Sequence, residues 1–220
     1  MAYLLSLNIA HSRDNPWQNY DGTGIDKRPV DGPVRVEAPG PRGTGAVGLA
    51  GDRVHDLRHH GGDDQAVYAY AREDLDAWAA DLGRDIPGGS FGENLTTSGV
   101  DVNAALIGER WRVGRDLLLE VSAPRIPCRT FAGWMDVPGW IKTFTARALP
   151  GAYFRVLEPG DIAQGDEITV EDRPSHEVSI ALAFRALTLE PELLPRLPDA
   201  GDALPADTRE IVARRLSRSE

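Results

Sequence analysis

The sequence predicts a mainly β protein with added helices, an α+β fold built as a barrel-like sheet with peripheral helices and a small helical tail. Three observations carry this. Short β-like runs are separated by turn signals in a chain holding 23 Gly and 16 Pro among 220 residues, and many short strands with turns between them favour a curled or closed sheet over a parallel one. One longer stretch between them has helical periodicity. From Pro174 the strand texture gives way to helical segments broken by Pro195, Pro198 and Pro205. The expected division is a β-rich unit over 1–172 and a three-helix tail over 173–220.

Taken in order, residues 3–9 and 34–37 are expected strands. Residues 64–82 are expected to form one helix, because Val67, Tyr70, Leu75, Trp78 and Leu82 recur at roughly helical spacing. Asp63 or Asp64 can cap its start and Gly83 can end it. Strands are then expected at 91–96, 109–113, 117–121, 153–157 and 167–170. Residues 138–148 read as a helix with Pro138 near its first turn. In the tail, 178–187 and 207–216 read as helices, with a shorter piece at 190–194.

The net charge of −10 argues against binding a nucleic-acid polymer, whose phosphates favour a basic surface. No apolar run approaches the length of a membrane span, and the start lacks the basic leader and apolar centre of a signal peptide. A single cysteine permits no internal disulfide, so a cytoplasmic setting is expected. Charge is nevertheless uneven. Between Arg110 and Arg155 lie eight cations against three anions, a local excess suited either to a small anionic ligand or to solvated strand faces.

Two motif matches carry little weight. Gly43-Thr44-Gly45-Ala46-Val47-Gly48 fits a dinucleotide-binding pattern, but no helix pattern follows it. His55-Asp56-Leu57-Arg58-His59 imitates a zinc-protease motif, yet Asp is shorter than the required Glu, and Gly61-Gly62 breaks any helix that would align the two histidines.

The stronger candidates are four. Cys128 lies in Pro124-Arg125-Ile126-Pro127-Cys128-Arg129-Thr130, where two prolines stiffen the loop and flanking guanidinium groups favour a thiolate. The alternative is the commoner one for lone cysteines, a small buried hydrophobe. His60-Gly61-Gly62 forms a tight turn with exposed amides, suited to an anion or simply to turn geometry. In Phe91-Gly92-Glu93-Asn94-Leu95, alternation sends Glu93 inward with Phe91 and Leu95, which requires a partner. Gly24-Ile25-Asp26-Lys27-Arg28-Pro29-Val30 is a glycine-bearing loop that brings two cations to a strand.

Read in order, these segments together with Gly51-Asp52, Gln65-Ala66-Val67-Tyr68-Ala69-Tyr70 and Ile107-Gly108 resemble the MOSC family, named for the C-terminal domain of molybdenum cofactor sulfurase. The likeness covers nearly the whole chain. It is strongest to the stand-alone bacterial branch that includes the 6-hydroxylaminopurine reductases, which also carries a short three-helix tail.

The resemblance implies a MOSC β-barrel-like core over 1–172 and a molybdopterin cofactor, with Cys128 as metal ligand and catalytic centre. It places Lys27, Arg28, His60, Gly61, Gly62, Asn94 and Arg125 near that cofactor. Molybdenum would be held by two dithiolene sulfurs and one thiolate, leaving positions for oxygen and substrate. The implied activity is reduction of N-hydroxylated or N-oxygenated compounds such as hydroxylaminopurine-type bases. It would act on a small-molecule substrate and take electrons from a separate donor protein, with no membrane partner and the tail available as a homodimer contact. The alternative is a non-redox carrier that holds the cofactor or a Cys128 persulfide.

Overall fold

The computed structural model describes residues 1–218. Ten strands are present: β1 (Ala2–Ala10), β2 (Lys27–Pro29), β3 (Val34–Val36), β4 (Val67–Ala71), β5 (Leu95–Ser98), β6 (Arg110–Val113), β7 (Leu117–Pro124), β8 (Ala152–Glu158), β9 (Gly160–Ile162) and β10 (Glu167–Asp172). The α-helices are α1 (Arg72–Leu82), α2 (Arg129–Met135), α3 (Trp140–Arg147), α4 (Ile180–Thr188) and α5 (Ala206–Leu216).

Seven strands close into a barrel in the order β1-β10-β6-β7-β8-β4-β5 and back to β1. A ring with an odd number of strands cannot be antiparallel throughout. The one parallel pair is β4–β5, with Ala69 opposite Leu95 and Ala71 opposite Thr97. A parallel link needs a long crossover, and α1 occupies it. β2 pairs only with the end of β1, with Ala10 opposite Lys27, and β3 and β9 form a separate ribbon.

Two buried clusters hold the chain together. Barrel side chains such as Leu4, Trp111, Leu119 and Phe154 pack with Ile180, Ala183 and Leu197, so the barrel and the C-terminal helices share one core. A second, aromatic cluster joins Tyr70, Trp78, Phe91, Phe131, Trp140 and Phe144 beneath α1, α2 and α3. Most of its rings meet edge-on or tilted, as between Phe91 and Phe131 at 5.2 Å, an arrangement ring quadrupoles favour, while Trp78 and Phe144 lie nearly parallel. Among the described residues no helix is long and apolar enough to cross a membrane.

The expected helix over 64–82 is corrected. Asp63–Gln65 is a single 3-10 turn, Val67–Ala71 is strand β4 with every residue buried, and the α-helix begins only at Arg72. The reason is burial on both faces. Val67, Ala69 and Ala71 face the barrel core, whereas Tyr68 and Tyr70 face the aromatic cluster. An apolar run buried on both sides shows no strand alternation, and its spacing merges with that of the following helix. Gly83 ends α1 in the left-handed conformation, φ 62°, as expected.

The strand expected at 91–96 starts later, at Leu95, because Gly92 turns the chain with φ 75°. Glu93 is still inward and fully buried. Its Oε1 accepts hydrogen bonds from the Gly89 N–H at 2.6 Å and the Thr96 hydroxyl at 2.9 Å, and its Oε2 accepts from the Phe91 N–H at 2.9 Å. Burial pushes its carboxyl above the usual carboxylate range despite these donors. Helix α2 has no counterpart among the expected elements. The tail's middle piece is a longer 3-10 run, Pro191–Ala203, interrupted at Gly201.

Replacing Glu93 by Leu leaves three buried donors without an acceptor, at about 1–3 kcal/mol each. Urea denaturation should therefore show a loss of roughly 3 kcal/mol or more. A loss below about 1 kcal/mol would mean that these donors find other acceptors.

Candidate functional site

A cleft open to solvent is lined by residues around the starts of β4, β5 and β8 and the end of β7. The registers explain why residues distant in sequence meet there. The ends of β1 and β7 and the starts of β4, β5 and β8 share this rim, with Tyr68 opposite Tyr153 and Pro124 opposite Ala152. Tyr68, Asn94, Arg125 and Tyr153 thus face one space, together with His60 and Thr130.

Cys128 begins α2 as its N-cap residue and is half-buried against the aromatic cluster. Burial opposes its thiolate. Hydrogen bonding from His60, the Arg125 charge and the Phe131 backbone N–H outweigh that burial and bring the thiol down to about 7. Arg125 is 4% exposed. Its guanidinium carbon lies 3.7 Å from the Phe131 ring centroid, and one Nη1–H donates to the Phe91 carbonyl at 2.9 Å. Stacking and hydrogen bonding fix this cation in one orientation.

The other candidate residues divide. His60, Gly61, Asn94 and Lys27 line the cleft; Gly62, Arg28 and Cys128 itself do not, although His60 and Arg125, which act on the Cys128 thiol, both do. Lys27 is committed to Asp52, with Nζ 2.5 and 2.6 Å from the two carboxylate oxygens. Asp52 also accepts from the Ala10 N–H and from Asn94 Nδ2, both at 2.8 Å. Asn94 further accepts from the Tyr68 N–H at 3.2 Å and donates to the Asn8 carbonyl at 3.2 Å. These two residues therefore brace the rim. Arg28 turns outward to Asp26 at 2.7 Å with its side chain 60% exposed. Gly62 adopts φ 78° against the Arg42 backbone, where a Cβ would approach within 2.8 Å.

The cationic excess between Arg110 and Arg155 does not surround the cleft. Of those eight residues only Arg125 lines it. Arg110 pairs with Glu120, Arg112 with Glu158 and Glu171, Arg147 with Asp81, and Arg155 with Asp64 and Glu120. The zinc-like motif also dissolves, since His55 meets Ser12 and His59 meets Asp56.

Several cleft residues were not singled out from the sequence. Asp52 and Gln65 stood inside recognisable motifs, but without assigned roles. Gln65 has a buried Oε1 with no hydrogen-bond partner. Asn15, Gln18 and Tyr20 reach the cleft from a loop without any local signal.

These residues fit a molybdenum cofactor. A thiolate is a soft donor for such a metal, and Arg125 offers a buried positive charge to an anionic group. The orphaned Gln65 carbonyl could accept from an N–H of an organic ligand. Among the described residues no group of three or more His, Cys, Asp or Glu could hold a metal ion. A metal at Cys128 would therefore bring most of its ligands with it.

Comparison with known proteins identifies the family. The MOSC domain matches residues 56–169. The YflK protein of Bacillus subtilis is 32% identical over 186 residues, covering 83% of this chain and 79% of that one. A protein of Gibberella moniliformis described as a reductase is 33% identical over 168 residues, which are 75% of this chain but 28% of that protein. The crystal structure of YiiM from Geobacillus stearothermophilus superposes with a TM-score of 0.78 at 27% identity, covering 98% of this chain and all of that one. With the barrel, the ordered motifs and these relatives in agreement, the chain belongs to the MOSC domain family.

Proposed function

We propose that this protein is a molybdenum-cofactor-dependent oxidoreductase that reduces N-hydroxylated or other N-oxygenated small molecules, with the Cys128 thiolate as the protein ligand to the metal. The observation that carries the reading is a half-buried thiol whose thiolate is favoured by His60 and the buried Arg125, two residues that line the cleft. Family membership supports it, as does the reductase description of the fungal relative, of which this chain spans 28%.

When bound, the cofactor supplies the two-electron redox chemistry, and the chain supplies binding, orientation and electrostatics. Arg125 holds a fixed positive charge for an anionic group. Gln65 offers a carbonyl to an N–H donor. Burial lifts the phenols of Tyr68 and Tyr153 above their usual range, so both stay neutral and do not repel an anion. Tyr68 donates its own proton to the Pro150 carbonyl at 2.7 Å, which fixes its ring as a wall. Reducing an N-hydroxyl to an amine consumes two electrons and two protons and releases water. In this reading a separate donor protein supplies the electrons, since the single cysteine forms no dithiol to store them.

Elemental mass spectrometry of protein from a cofactor-competent host should find near-stoichiometric molybdenum in wild type and little in Cys128→Ser, whose reductase activity should fall by orders of magnitude. Molybdenum in neither protein, together with an added sulfur on intact wild type, would favour the persulfide carrier instead.

In metal-free protein, the rate of Cys128 alkylation should rise with pH through a midpoint near 7 and level off above it. His60 favours the thiolate, so His60→Ala should move the midpoint upward. A wild-type midpoint at about 8.5, the value of an unperturbed thiol, would remove the electrostatic basis of the reading.

A further inference from the structure

We propose that residues 13–23 form the selectivity wall of the cleft, a strap docked against α2 that limits by size what enters beside His60 and Arg125. These are the residues that act on the Cys128 thiol. The inference concerns access alone and holds whether or not a metal is bound.

The strap's ends are pinned together. The Arg13 N–H donates to the Thr23 carbonyl at 3.2 Å, and the Thr23 N–H donates to the Arg13 carbonyl at 2.8 Å. A loop closed at its neck and packed through its own side chains is a compact unit. Its far side is docked on α2. Asn15 Nδ2 and Gln18 Nε2 both donate to the Thr130 hydroxyl, at 3.2 and 2.8 Å. The Trp17 indole lies directly on Gly133, where a Cβ would stand 2.2–2.4 Å from three ring atoms. Only glycine admits that contact. The Arg13 guanidinium lies 5.3 Å from the Trp134 ring centroid.

The strap is thus fastened to the helix that begins with Cys128. Asn15, Gln18 and Tyr20 line the cleft from the strap side, and Thr130 lines it from the helix side. The fastening is slight compared with the cores beneath it. It consists of one half-buried indole, two hydrogen bonds to one hydroxyl, and an arginine whose side chain is 50% exposed. Segments held by few buried contacts open more readily than the core. The wall in its docked position therefore narrows the cleft next to Cys128, and a bulky ligand must first displace it, whereas a small one need not.

Metal-free protein is alkylated at fixed pH with iodoacetamide and with a bulky fluorescein maleimide, and the ratio of the two rates is compared between variants. The ratio cancels any change in thiolate fraction. Trp17→Ala and Thr130→Val release the strap without placing atoms in the core, and Gly133→Leu displaces the indole outright. Thermal melting identifies variants that remain folded.

The bulky-to-small ratio should rise by about tenfold in folded Trp17→Ala, the factor that about 1.4 kcal/mol of lost docking corresponds to. Tryptic cleavage after Arg13 should quicken in parallel. An unchanged ratio in folded Trp17→Ala and Thr130→Val would overturn the proposal, even if both reagents accelerate together, because the strap would then cover the thiol without selecting by size.

Discussion

Closure of a seven-stranded ring is the constraint from which the rest of the molecule follows. An odd ring needs a parallel pair, and the chain places it between β4 and β5. The crossover that this requires contains α1 and the turn through Gly92, Glu93 and Asn94. It also leaves β4 between two cores, one inside the barrel and one made of aromatic rings. The starts of β4 and β5 and the end of β7 then open onto one rim, and the cleft forms there.

The rim is held by polar groups that satisfy one another. Glu93 gathers two backbone donors and a hydroxyl below the turn. Asp52 gathers Lys27, Asn94 and the Ala10 amide. Each would be costly in isolation, because buried polar groups are tolerated only when paired. Together they fix the turn and the end of β1, on which the positions of Asn94 and Gly92 at the cleft depend. Lys27 thus serves the frame, and Arg125 is left as the buried cation facing the cleft.

The environment of Cys128 is set by competition. Burial disfavours the thiolate, and His60, Arg125 and the Phe131 amide favour it and prevail. The three come from different places: the turn before β4, the end of β7, and α2 itself. His60 meets the sulfur only in the folded chain. Packing of Phe131 into the aromatic cluster fixes both α2 and, through the stacked guanidinium, Arg125.

Much of this was legible in the sequence. The short strands, the stop at Gly83 and the family itself were carried by local signals: turn residues and ordered motifs. Other features were not. β4 read as helix because burial on both faces erases alternation. The cations between Arg110 and Arg155 read either as a ligand site or as solvated strand faces, and the sequence could not choose, because their partners Glu158, Glu171 and Asp64 arrive from distant strands and loops. The strap residues Asn15, Trp17 and Gln18 gave no signal, since their meaning lies in Thr130 and Gly133. The sequence by itself determined which residues could do chemistry, because thiol, guanidinium and turn-forming character are local properties. Only the tertiary structure decided which of them do it together, because charge compensation and access depend on neighbours that the closed barrel brings within a few ångströms.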